Sequence, residues 1–142
     1  MIAVDTNLLV YAHRAEMQLH EPALKRLRVL TEGNAPWGLP VFCIGEFVRV
    51  VTHPRVFHPP TKLDRALDFI SQVLGSTSVR LLAPGPTFPA LFADACRDGG
   101  VRGNLAFDAQ IVAVCREYGV GEILTEDQDF SRFTVPRPVR LG

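Results

Sequence analysis

Four acidic positions, widely separated along the chain, stand where solvation alone does not explain a carboxylate. Asp5 directly follows the apolar run "IAV". Glu46 lies in "VFCIGEFVRVVT", where a helical repeat puts Phe42 and Val50 one turn either side of it and Cys43 and Phe47 on the flanks. Arg49 and Thr52 mark the polar face of that segment, so Glu46 is on the apolar one. Asp108 falls inside a stripe of Leu105, Ile111, Val112 and Cys115, while Gln110, Arg116 and Glu117 mark the solvent side. Asn104 sits one turn earlier on the face of Asp108. In "ILTEDQDF", residues 123–130, Thr125 is followed by Glu126, Asp127 and Asp129 within four positions. An unpaired ionised carboxylate on an apolar face is costly. It requires a cation, a hydrogen-bonding partner or a raised pKa. A salt-bridged structural acid is a fair account of any one of these residues. For two acids on apolar helix faces and two at strand ends, the economical account is convergence on one cation. Mg²⁺ and Mn²⁺ take such all-oxygen donor sets.

No competing ligand set is visible. His13, His20, His53 and His58 show no spacing such as HExxH, and loop or surface roles are expected for them. Cys43, Cys96 and Cys115 are isolated and odd in number, which argues against a zinc site or a disulfide framework. Cys43 and Cys115 are expected to be small buried hydrophobes.

The elements that must position the acids follow from hydrophobic periodicity. A strand is expected at 2–4, then a helix through "LLVYAHR" capped by Thr6 or Asn7, which lie nearer to it than Asp5. Further helices are expected over 20–32, 41–52 (with Pro40 in its first turn), 62–74, after Pro89, and from Asn104 to Tyr118. Leu63, Leu67, Ile70 and Leu74 form one side of the helix at 62–74. Trp37 is a core residue in a short strand, "SVRLLAP" and "GEIL" are strands, "PVRL" is a final one, and "HPRVFHPP" at 53–60 is a loop. Strands alternating with helices imply an α/β fold: one domain spanning 1–142, an open, mainly parallel sheet with helices on both faces. Sites in such sheets lie at the carboxyl ends of the strands.

A chain of 142 residues, 47% of them hydrophobic, suits one domain with one core. No run is long enough to span a bilayer and no secretory leader is visible, so a cytoplasmic protein without membrane contact is expected. Net charge is zero, which gives no overall nucleic-acid footprint. Of 15 basic residues 13 are Arg, whose planar fork matches phosphate. A GC-rich genome explains that bias equally well.

Taken together, "VDTNLLVYA", "GEFVRVVTHPR", "GNLAFDAQIVAVC" and "ILTEDQDF", in this order and spacing, resemble the PIN-domain family, specifically the VapC toxins of bacterial toxin–antitoxin pairs. The resemblance covers essentially the whole chain. It implies that Asp5, Glu46, Asp108 and Asp127 form a metal-binding catalytic cluster, supported by Asn7, Asn104, Thr125 and Asp129. It implies hydrolysis of RNA phosphodiester bonds with Mg²⁺ or Mn²⁺ by an endoribonuclease toxin, a homodimer, and a VapB-type antitoxin as partner. Arg49, Arg55, Arg97 and Arg102 are then candidate phosphate contacts. Within "ILTEDQDF", Asp127 is the expected cluster member and Glu126 the solvated acid. Asp129 is open between a water-mediated metal contact and a cap for the turn into "FSRF". Two other readings stand beside this one. Asp5 at a strand end resembles the nucleophile of aspartyl phosphatases, although Asn7 replaces their second acid and only Lys25 and Lys62 could serve as a lysine. A non-catalytic interaction module is the other, although it gives no reason for acids on apolar faces.

Overall fold

A computed structural model describes all 142 residues. Five short strands, β1 (Ile2–Val4), β2 (Trp37–Pro40), β3 (Val79–Leu82), β4 (Glu122–Leu124) and β5 (Arg137–Val139), form one sheet in the order β3-β2-β1-β4-β5. Every pairing is parallel. The connections are therefore crossovers. Helices α1 (Thr6–His13) and α2 (His20–Glu32) join β1 to β2. Helices α3 (Phe42–Val51) and α4 (Leu63–Leu74) join β2 to β3, and α5 (Phe88–Gly99) and α6 (Leu105–Glu117) join β3 to β4. A short 3-10 turn, Gln128–Arg132, precedes β5.

The chain moves outward from β1 to β3, then returns past β1 to lay down β4. With right-handed crossovers that reversal puts α1–α4 on one face and α5–α6 on the other. It also makes β1/β4 the topological switch point, where a cleft opens beyond the carboxyl ends of the strands. The strands beside the switch are buried on both faces: Ala3, Val4, Ile123 and Leu124 have almost no solvent exposure, and neither has any residue of β2. In α6, residues Ile111 to Cys115 are all buried, so the helix that carries Asp108 is fixed by packing around its whole circumference. No helix is long and apolar enough to cross a membrane.

Several local expectations need correction. Pro40 is the last residue of β2, paired with Leu82, and does not open α3. The core side of α4 is Ala66, Ile70 and Val73, whereas Leu63 and Leu67 are 57% and 47% exposed. The small Ala66 seats the helix against its neighbours and leaves the leucines along its outer flank. His13 is no surface histidine. Its ring lies 4.9 Å from that of Phe69 and 5.5 Å from that of Phe47, and its Nε2 is 3.0 Å from the Thr61 hydroxyl.

The α5 terminus packs closely on the segment after β4. A Cβ at Gly99 would lie 2.5 Å from the Phe133 ring, and Phe133 is buried. Gly99→Ala is expected to lower stability by about 1–3 kcal/mol through overpacking. Chemical denaturation checks this, and a variant as stable as the parent would contradict the close approach.

Candidate metal centre

Asp5 leaves β1 at the switch point and is 4% exposed. Its Oδ1 accepts the Thr6 N–H at 2.7 Å, which makes Asp5 the N-cap of α1. The expectation that Thr6 or Asn7 would cap the helix is therefore corrected: both are already helical or in its first turn. Asp5 Oδ2 accepts from the Thr125 hydroxyl at 2.8 Å and from the Asn7 side-chain amide at 3.2 Å. Thr125, fully buried just beyond β4, also accepts the Asp127 N–H at 3.0 Å. The Asn7 carbonyl oxygen accepts the Glu126 N–H at 3.4 Å. Asn7 and Thr125 thus bind the ends of β1 and β4 into one network.

Asp127 caps the 3-10 turn by accepting the Asp129 N–H at 2.9 Å. Asp129 is consequently not the cap, and its carboxylate is exposed. Carboxylate oxygens of Asp108, Asp127 and Asp129 lie within 4.8 Å of one another. Glu46, half-buried on α3, shares a cavity of about 640 Å³ with Asp108, Arg49 and Asn104. Asp5 and Glu46 stand outside the closest trio but within its electrostatic field. Asn104 occupies the N-cap position of α6 without making a side-chain cap bond, so its amide is free to face the cavity. Glu126 is not the solvated acid expected of it. It is 18% exposed, lies 3.6 Å from Arg140 and accepts the Leu141 N–H.

The electrostatics express this crowding. Burial pushes Asp108 up to about 7, and the charges of Asp127, Asp5, Glu46 and Asp129 push the same way. Burial likewise pushes Asp5 up to about 7, against the opposing hydrogen bonds from Thr125 and the Thr6 backbone, with Glu46 and Asp127 adding to the rise. Tyr11 is raised by burial and then by Glu126, Asp5 and Asp127. Oxygen-only donors, close carboxylates and unfavourable self-repulsion fit a hard divalent cation. Four residues at this edge were not singled out from the sequence. Phe42, Phe107 and Arg132 line its cavities. Tyr11 could have been found, because it lies one helical turn from Asn7.

Comparison with known proteins agrees with this architecture. The PIN domain profile matches residues 2–136. Ribonuclease VapC43 of Mycobacterium tuberculosis is 35% identical over 133 residues, 94% of this chain and 90% of its own length. Ribonuclease VapC25 of the same organism is 27% identical over 140 residues, 99% of this chain and 98% of its own length. The crystal structure of M. tuberculosis VapC20, described as a sarcin–ricin loop cleaving toxin, gives a TM-score of 0.68 at 20% identity, over 92% of this chain and 93% of that one. A Rickettsia felis VapBC2 complex bound to a promoter DNA fragment gives 0.70 at 15% identity, over 99% and 98%. At these identities the two structures establish the fold.

The raised carboxyls have a measurable consequence. In the unfolded chain both ionise near 3.8, and in the fold near 7. Between those values the native state holds more protons, so their contribution to stability is full at low pH and is lost as pH rises through about 7. The depressed carboxyls Asp98 (backbone N–H of Thr134, then Arg116) and Glu117 (backbone N–H of Gly85, then Thr87) act below this window, and His13, held below its usual value by burial and then by Arg14, opposes the trend within it as one group against two. In EDTA, Tm is expected to fall from about pH 5.5 to about pH 8. Millimolar Mn²⁺ is expected to raise Tm most at the alkaline end, because it binds the ionised native site. Melts followed by circular dichroism check both slopes. A Tm indifferent to Mn²⁺ at every pH would rule out a preformed site.

Proposed function

The chain belongs to the PIN-domain family, and we propose that it is the toxin of a toxin–antitoxin pair, a metal-dependent endoribonuclease that hydrolyses RNA phosphodiester bonds. The observation that carries this reading is the meeting of acids from separate segments at the carboxyl edge of the sheet, with Asp108, Asp127 and Asp129 within 4.8 Å. The curated relatives named as ribonucleases support the substrate class.

In this proposal Asp5, Glu46, Asp108 and Asp127 are the catalytic acids and hold Mg²⁺ or Mn²⁺, with Asp129 as an additional oxygen donor. When bound, the cation supplies Lewis-acid stabilisation of charge on the phosphate and favours ionisation of attacking water. The chain's own contribution is preorganisation. Thr125 and Asn7 fix the Asp5 carboxylate, and Thr125 fixes the backbone from which Asp127 projects. The packed α6 holds Asp108. Arg49 and Arg102, each lining one of the two cavities that share Asn104, are the phosphate contacts.

An aspartyl-phosphatase mechanism is disfavoured. Asn7 stands where that motif carries its second acid, and neither Lys25 nor Lys62 lines the cavities at this edge. A VapB-type antitoxin and a second copy of the chain are the proposed protein partners, in the cytoplasm. The Rickettsia felis VapBC2 structure supports the first.

Purified protein freed of any partner is expected to cleave total RNA with Mn²⁺ and not with EDTA. Asp108→Asn should reduce the rate on the order of 100-fold or more, and Thr125→Val, which acts only through its neighbours, by about 10- to 100-fold. Gel analysis of the products checks this. Undiminished cleavage in EDTA would remove the metal from the mechanism, and absence of cleavage by the parent chain with Mn²⁺ would remove the ribonuclease.

A further inference from the structure

Phe107 is 58% exposed, although it immediately precedes Asp108 on a helix whose following turns are buried. It takes no part in the hydrophobic core, whereas its neighbour Leu105 and the facing Phe42 both pack against that core. Single exposed apolar residues are ordinary. This one lines the cavity of about 640 Å³ that contains Glu46, Arg49, Asn104 and Asp108. Gly45 lines the same cavity, and a Cβ there would meet nothing within 4 Å, so that stretch of α3 leaves space instead of a side chain.

Asn104 also borders a second cavity of about 530 Å³ with Arg102, Asp129 and Arg132. The two cavities thus adjoin at Asn104, with Glu46 and Asp108 lining the first and Asp129 the second. Arg49 lines the first and Arg102 the second, and neither forms an ion pair within the chain. A ligand that suits this arrangement alternates negative charge with flat apolar faces. Single-stranded nucleic acid does so, because every unpaired base has a face that stacks on an aromatic ring. A base inside a duplex is stacked on both sides and cannot present one.

We propose that Phe107 is the base-stacking platform of the RNA site, holding an unpaired nucleobase in the Glu46–Asp108 cavity while the backbone continues past Asn104 towards Arg102 and Arg132. The platform rests on the ribonuclease reading for its substrate. It is a substrate-positioning role, separate from the acids that would perform the chemistry.

The test uses the full chain with Mn²⁺ and a short unstructured RNA oligonucleotide. Phe107→Ala and Phe107→Leu should each raise KM by about 5- to 160-fold, the range of stacking lost on truncation, with kcat within about threefold. Phe107→Tyr should restore KM, since it keeps the ring. The Mn²⁺ shift in Tm should be the same in all four proteins, which separates a lost platform from a damaged site. Phe107→Trp adds a second readout. The only native tryptophan, Trp37, is fully buried, so quenching of the new fluorophore by the oligonucleotide reports stacking at position 107. An unchanged KM in Phe107→Ala, or a Leu variant as good as the parent, overturns the platform and leaves the ribonuclease intact. Where the parent chain cleaves no RNA, the ribonuclease reading fails, and the fluorescence then decides alone: quenching by the single strand sustains the platform and its absence overturns it.

Discussion

The hydrogen bonds made by the buried Asp5 carboxylate are the constraint on which the site depends. One oxygen caps α1 through the Thr6 N–H, and the other receives the Thr125 hydroxyl and the Asn7 amide. The Asp5 backbone N–H bonds the Leu124 carbonyl, and the Thr125 N–H bonds that of Val139. Asp5 thus fixes the end of β1, the start of α1 and the end of β4 relative to one another, and Thr125 extends the network to β5. Burying a carboxylate is unfavourable, and these donors only partly offset it, which is why Asp5 stays near 7. The fold accepts that cost at the point where the strand order reverses and a cleft must form.

Parallel topology explains why acids so distant in sequence can meet. Every strand delivers its carboxyl end to the same edge, so Asp5, the turn after β4 and the N-terminal turn of α6 all arrive there. Packing then does what hydrogen bonding cannot. Asp108 has no hydrogen-bonding partner within the chain, yet α6 cannot rotate to relieve it because Ile111 to Cys115 are buried without a break. The burial that raises Asp108, and the repulsion that adds to it, are both held in place by the hydrophobic core.

Much of this was legible in the residues because the anomaly was chemical. Acids on apolar helix faces stand out against a 3.6-residue period, and Glu46 and Asp108 were identified by that test alone. What was not legible depended on single-residue offsets or on distant partners. The cap of α1 was misplaced because Thr6 and Asn7 are as good capping types as Asp5, and helix ends are uncertain by a residue. The α4 face is ambiguous in the sequence because 63, 67, 70 and 74 fit a helical stripe as well as 66, 70 and 73, and only packing shows that Ala66 is the point of contact. Glu126 looked solvated because its partner Arg140 lies beyond the following turn. Asp129 stands out in the acidic run, but its role does not: it is open between a metal contact and a cap until Asp127 is seen to cap the turn. Phe107 carries no local signal and gains its place only from the cavity beside it.

The zero net charge of the chain conceals a segregated field. Acids are pooled at the switch point, and Arg49, Arg102 and Arg132 border the cavities around it. A polyanion approaching these cavities meets attraction from the arginines and repulsion from the acids. The carboxylates that raise one another's pKa are the same ones that would oppose a phosphate, so both penalties are relieved by one event, the arrival of a divalent cation. Protons relieve the first penalty without creating the site, since a neutral carboxyl holds a cation poorly. In the proposed function a divalent cation and RNA therefore strengthen each other's binding, with the coupling carried by charge. Because Asp5 is buried and Asp108 is half-buried on a packed helix, their share of the repulsion is screened less than it would be on an open surface.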